Sequence, residues 1–191
     1  MTVVSGATSS FPFFNLMSDK VKVLIACLVT FLYAFQPVYS KGVYKTSEQF
    51  LQETFSDERI PETQLIWLSG DVKNTVKEIL GHPYSKLRVK YWKENNRTAW
   101  VLEEIGKEKY ITAGFIASDN KLDSVEVLAF RESRGWEIKH PFFTRQFKGA
   151  GLKDGKKLDR NIDGITGATL SVSAIIRLSQ MALYLHKHVT Q

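Results

Sequence analysis

Between Asp163 and Thr169 the chain reads Asp-Gly-Ile-Thr-Gly-Ala-Thr, and a run of helical periodicity, Leu170 to His188, follows at once. Small residues at Gly164, Gly167 and Ala168 let backbone come close to a ligand. The start of the following helix offers N–H groups without intrahelical acceptors, a setting that suits a phosphate or another anion. The hydroxyl of Thr169 stands at that boundary. The plain reading of a Gly-Ala-Thr turn before a helix is an N-cap. The stripe Ile175, Leu178, Ala182 and Leu185 behind it is explained by packing alone. A cap, however, requires neither an aspartate six residues ahead of the threonine nor two glycines between them. The segment points to an anionic ligand held at a tight turn. Ser5-Gly6-Ala7-Thr8 repeats the core of the pattern, but Thr2 stands where the aspartate belongs and no helical pattern follows. That copy reads as coincidence.

The rest of the chain restricts the chemistry. Cys27 is the only cysteine and falls in an apolar leader, so the remainder has no disulfide, thiolate iron–sulfur cluster or Cys-x-x-Cys-His haem site. No Ser-His-Asp order, P-loop, Gly-x-Gly-x-x-Gly after a strand, or metal-ligand spacing occurs. His186 and His188 lie on different faces of the final helix and are explained by its C-terminal dipole. His82 and His140 precede prolines in loops. A redox role would have to rest on an organic cofactor. The formal net charge of +6 comes mostly from basic residues scattered among acidic ones. The densest cluster, Lys148, Lys153, Lys156, Lys157 and Arg160, reads first as a solvated loop. Its second reading is attraction of a phosphate-bearing cofactor or an acidic partner. Nucleic acid is not an expected partner.

The elements that must position the 163–169 segment are legible from periodicity. Ser47 to Phe55 carries Phe50, Leu51 and Phe55 at helical spacing, and Asp71 to Leu80 is a second helix stopped by Gly81. Strand-like stretches follow at Leu87–Trp92, Thr98–Ile105, Tyr110–Ala117 and Leu122–Phe130, with turn residues at Asn95-Asn96 and Asp119-Asn120. The expected fold is α+β: an antiparallel sheet of about four strands with packed helices.

The 191 residues allow one domain and a leader. Val23 to Phe35 is apolar, with Lys20 and Lys22 ahead and small residues around Ser40 behind, the pattern of a secretory signal peptide. The preferred reading is cleavage after Ser40, which puts the protein in the periplasm or another extracytoplasmic space. Retention as an N-terminal membrane anchor is the alternative. A leader beginning at Met17 has standard proportions, so residues 1–16 read as an early start. The Leu24-Ile25-Ala26-Cys27 run lies inside the apolar core rather than after it, which argues against lipidation.

Asp163 to Thr169 also resembles, position for position, the Asp-x-x-(Ser/Thr)-Gly-Ala-Thr motif of the FMN-binding domain family. That family includes flavin-bearing subunits of the sodium-translocating NADH:quinone reductase and of the Rnf complex. The resemblance implies FMN joined to Thr169 through a phosphoester, attached by a flavin transferase that uses FAD as donor. It implies cofactor contacts from Asp163, Gly164, Thr166, Gly167, Ala168, Leu170 and Ser171. In the family Asp assists recognition by the transferase or the metal-dependent attachment, and that role falls to Asp163. Glu132-Ser133-Arg134-Gly135 stands where the family has a Glu-Thr-Pro-Gly-like element near the flavin; it keeps Glu132 and Gly135 but lacks the Thr-Pro pair. Phe142-Phe143 and Gln146 to Gly149 resemble the family's aromatic segment. Trp136, Phe142, Phe143 and Phe147 read singly as core and together as a wall for the isoalloxazine.

The likeness spans about Leu87 to His188. The expected organisation is therefore a leader over 1–40, a helical lead-in over 41–86 and an FMN-binding domain over 87–191. The implied function is an exported flavoprotein that carries electrons to partner proteins in a membrane-linked or extracytoplasmic chain. A carrier or subunit fits better than a stand-alone oxidoreductase, since no substrate pocket is visible in the sequence. Two alternatives stay open: an extracytoplasmic flavin-dependent reductase with its own acceptor site, and a non-redox flavin-binding or sensory module.

Overall fold

The computed structural model describes residues 18–21, 42–55 and 59–191. The chain divides into two units, residues 1–39 and 40–191. Of the first, Asp19 to Val21 form a helical turn; the apolar leader and the Thr8 copy lie outside the described residues. Among the described residues no helix is long and apolar enough to cross a membrane.

The second unit is built on an antiparallel sheet of five strands in sequence order. These are β1 (Thr63–Trp67), β2 (Arg88–Glu94), β3 (Arg97–Ile105), β4 (Tyr110–Ser118) and β5 (Lys121–Phe130). The expected count of about four omits β1, which pairs with β2 from Thr63↔Trp92 to Trp67↔Arg88. Its five residues bury only Ile66. An edge strand with one face open leaves no clean alternation to read. The tight connections use the anticipated residues: Asn95, Asp119 and Asn120 all have positive φ, as two-residue hairpin turns require.

Each face of the sheet carries helices. Helix α1 (Ser47–Thr54) opens with a capping box, Thr46 and Gln49 bonding each other's backbone. It sets Phe50, Leu51 and Phe55 against Trp92, Ala99, Ile116 and Leu128 on one face. Helix α2 (Gly70–Leu80) and the long α4 (Thr169–Thr190) cover the other face, over Trp100, Leu102, Ala113 and Phe115. Between β5 and α4 the chain makes a 3-10 turn (Trp136–Lys139), a short α3 (Pro141–Thr144), a second 3-10 turn (Arg145–Phe147) and a small hairpin of β6 (Leu152–Lys153) and β7 (Lys157–Leu158).

Helix α4 is the largest anchor of the fold. Ile175, Leu178, Met181, Ala182 and Leu185 are completely buried, and each fully buried large aliphatic stabilises by about 1.5–3 kcal/mol. His186 is buried as well. Its Nε2 accepts the Asn120 N–H at 3.3 Å and its Nδ1 lies 2.8 Å from Thr98 Oγ1. The expected dipole role therefore fails for His186: it is a neutral core residue, with Nδ1–H donating to a hydroxyl that also accepts Trp100 Nε1–H. With its body fixed this way, α4 presents its N-terminus as a rigid platform.

Candidate cofactor site

The platform begins with a tight turn. Ala168 N–H donates to the Ile165 carbonyl at 2.9 Å, and Gly167 between them has φ +81°. A left-handed third residue closed by such a bond is a type II turn, and it favours glycine. Ala168 is then the N-cap of α4, with no side-chain cap bond, and no acidic residue follows in the first turn. Thr169 is the first helical residue, and it is exposed. The simple capping role is thereby taken from Thr169. The N–H groups of Thr169, Leu170 and Ser171 have no intrahelical acceptors and carry the positive end of the helix dipole. An exposed hydroxyl, three N–H donors and no competing carboxylate form a setting ready for a phosphate.

Two neighbours hold this turn in place. Gly135, with φ +89°, caps the first 3-10 turn and lies directly beneath it. A Cβ built there would sit 3.2 Å from Ala168 Cβ and 3.2 Å from Ser171 Oγ. Asp163 N–H donates to Gln146 Oε1 at 2.7 Å, while the other end of the same amide reaches the Phe142 carbonyl at 3.4 Å. Gln146 thus ties the segment entering the turn to α3. Asp163, Gly164 and Thr166 are exposed, Ala168 and Ser171 are buried, and Leu170 projects into solvent.

Glu132 does something the sequence does not show. Its Oε1 accepts three backbone N–H groups of the β3–β4 loop, from Lys107 at 2.7 Å, Glu108 at 2.6 Å and Lys109 at 2.8 Å. Desolvation pushes its carboxyl upward, but those three amides and the Lys109 charge outweigh it, so its pKa lies below the ordinary carboxylate value. These hydrogen bonds run to the loop, not to residues 163–171. Glu132 fixes the base on which Gly135 stands.

The aromatic residues divide cleanly. Phe143 and Phe147 are fully buried and meet edge to face at 5.4 Å, as core. Trp136 and Phe142 are 46% and 62% exposed. His140 lies between them, with ring centroids 5.1 Å from Trp136 and 6.2 Å from Phe142. Lys139 Nζ sits 4.1 Å from the Tyr44 ring and 5.4 Å from the Trp136 ring. An exposed aromatic row with a cation at one end therefore starts one residue from Gly135. A flat ring system has a surface to lie on there.

The basic cluster is partly committed to structure. Arg160 donates to the Lys148 and Gly149 carbonyls, and Lys156 pairs with Glu78. Among the described residues no group of three His, Cys, Asp or Glu side chains could hold a metal.

The model of the FMN-binding domain matches residues 106–184. This stretch of the chain is similar to the FMN-binding domain. The matched stretch contains β4, β5, Glu132, Gly135, the exposed aromatic row, the turn at 165–168 and most of α4. Among solved structures, a subunit of the Na(+)-translocating NADH-quinone reductase from Parabacteroides distasonis matches with 20% identity and a TM-score of 0.44, over 76% of this chain and 87% of that one. No curated protein matches. Within the matched stretch the observed geometry fits FMN: a hydroxyl and helix-start N–H groups for the phosphate, close backbone approach at Gly167, and an open aromatic surface for the ring. Gln146, read in the sequence only as part of an aromatic segment, and His140, read only as a loop histidine, take site roles that the sequence does not show. Gln146 acts through Asp163, 17 residues later, which no local pattern marks, whereas the ring partners of His140, Trp136 and Phe142, are close in sequence.

Proposed function

We propose that the protein is an exported electron carrier with FMN joined to Thr169 by a phosphoester. The observation that carries this reading is the position of Thr169, exposed at the first residue of α4 while Ala168 takes the cap. A threonine there contributes little to the helix, and its hydroxyl faces outward beside three N–H groups. In attachment Thr169 Oγ1 gives up its proton and forms a bond to the flavin-side phosphorus of FAD, the pyrophosphate bond breaks, and AMP leaves with the bridging oxygen. A flavin transferase supplies that step, and the exposed Asp163 side chain is available for recognition. The remaining negative charge on the phosphoester gains about 0.3–1 kcal/mol from the dipole of α4.

Bound there, FMN supplies the redox chemistry. The chain's own residues orient it. Gly167 lets the backbone turn beneath the phosphate, Gly135 keeps the space under Ala168 closed, and Trp136 and Phe142 support the ring. Lys139 and His140 place donors beside that surface. Covalent attachment suits an exported protein, from which a dissociated flavin would be lost by diffusion. Electron exchange with partner proteins fits the open, unroofed position of the row.

The test is to produce the chain together with a flavin transferase and precipitate it with acid. Yellow colour that remains with the precipitate supports the phosphoester. Flavin released quantitatively into the supernatant overturns it, and a colourless protein favours a non-redox module.

A further inference from the structure

A cleft of about 900 Å³ in the described structure is built from residues outside the FMN motif. It lies on the sheet face that α1 covers only in part. Side chains alternate along strands, so the residues of β1, β2 and β3 on that face are Leu65 and Trp67, then Arg88, Lys90 and Trp92, then Val101 and Glu103. Helix α1 closes over Trp92 and stops there. The rest of this face is open, with Leu65, Trp67 and Leu87 exposed by 45%, 60% and 68%. All of the lining residues precede position 106, so none belongs to the matched FMN-binding segment.

The charges in the cleft are unbalanced. Lys86 is spent on Glu103, at 2.7 Å. Arg88 and Lys90 have no carboxylate partner among the described residues; the Arg88 guanidinium instead lies 5.7 Å from the Trp67 ring centroid. Tyr84 adds a hydroxyl whose oxygen accepts the Glu103 N–H at 3.2 Å, and burial holds its pKa up at about 12, so it stays protonated. The cleft thus combines an apolar floor and two tryptophans with several donors and one already satisfied acceptor. Its volume falls within the usual span for small organic ligands, which is roughly 300–1,000 Å³.

We infer that this cleft binds a small apolar anion, an aromatic or acyl carboxylate or sulfonate, with its body on Trp67, Leu65 and Val101 and its acid on Arg88. A neutral apolar ligand would leave Arg88 without a counter-ion, and a fully polar one would waste the tryptophan surface. The Arg88–Trp67 contact holds the guanidinium at the mouth before any ligand arrives, so less side-chain freedom is lost on binding. This inference is independent of flavin attachment.

The experiment uses two fluorescent probes on the purified chain: 8-anilinonaphthalene-1-sulfonate and its uncharged relative N-phenyl-1-naphthylamine. Arg88→Gln should weaken the sulfonate by about tenfold, the scale of a lost charge-assisted hydrogen bond, and leave the naphthylamine unchanged. Trp67→Ala should weaken both, and Lys153→Gln, away from the cleft, should change neither. Trp67 is exposed, so its loss leaves the fold intact, which circular dichroism checks. Equal sulfonate affinity in the wild type and Arg88→Gln overturns the inference. So does an unchanged response to both probes in Trp67→Ala, or failure of the sulfonate to bind the wild type at all.

Discussion

Replacing Gly135 with alanine separates two effects that the structure assigns to one position. The first is backbone strain. Gly135 has φ +89°, and an L-residue held in the left-handed region costs about 1–2 kcal/mol. The second is collision, because the new Cβ would stand 3.2 Å from both Ala168 Cβ and Ser171 Oγ. Both neighbours are buried, Ala168 as the N-cap of α4 and Ser171 in its first turn, so each must give by a few tenths of an ångström to admit the new Cβ. Gly81 provides the control: it has φ +82°, it ends α2, and a Cβ there meets nothing within 4 Å. Gly81→Ala should therefore lose about 1–2 kcal/mol, and Gly135→Ala should lose that plus about 1 kcal/mol of overpacking. Urea unfolding measures the difference. On a domain of this size each kcal/mol also lowers Tm by about 2–4 °C. Because the collision displaces the turn that presents Thr169, Gly135→Ala should also take up flavin more slowly from a flavin transferase, while Gly81→Ala should not. Equal stability losses and equal attachment rates in the two variants would mean that Gly135 does not press on the helix start.

Three further outcomes follow from the same geometry. Thr169→Ala should remain folded within about 0.5 kcal/mol of the parent, because it removes an exposed first-turn side chain that makes no cap bond; a larger loss in a urea titration would show a structural role for the hydroxyl. Glu132→Gln should destabilise the β3–β4 loop at neutral pH. The folded pKa of Glu132 is depressed, so its contribution is present above the ordinary glutamate value, near pH 4.3, and is lost as pH falls through the folded pKa; parent and variant should converge in acid. His186 is pushed downward by burial, opposed by the charges of Asp123 and Asp119 and reinforced by Lys93. Its folded pKa lies below the unfolded one, so stability should decline as pH falls below about 6.5, and His186→Gln should flatten that decline; an unchanged pH profile in the variant would contradict the buried neutral imidazole.

Legibility in the sequence depended on the range of each interaction. Gly81, Asn95, Asp119 and Asn120 carry their turn chemistry in their own backbone, and they sit where residue type places them. The stripe on α4 was visible because a helix repeats its buried face every three or four residues. Strand β1 was not visible, because an edge strand of five residues with only Ile66 buried has neither length nor alternation. Glu132 was placed at the right end of β5, but its partners are amides 23 to 25 residues earlier, and no local pattern announces them. The aromatic segment is the same case. Phe142 and Phe143 are identical in type and adjacent, yet only the packing of α3 decides that one is exposed and the other buried. The sequence does not place His186 in the core, because its hydroxyl partner Thr98 lies on β3, 88 residues earlier.

Flavin attachment at Thr169, and not at its near copy Thr8, is decided by intact mass after production with a flavin transferase. A gain equal to FMN less one water is expected in the parent and in Thr8→Ala, and none in Thr169→Ala. An unmodified parent mass, or a Thr169→Ala protein that still gains the flavin, would contradict the assignment.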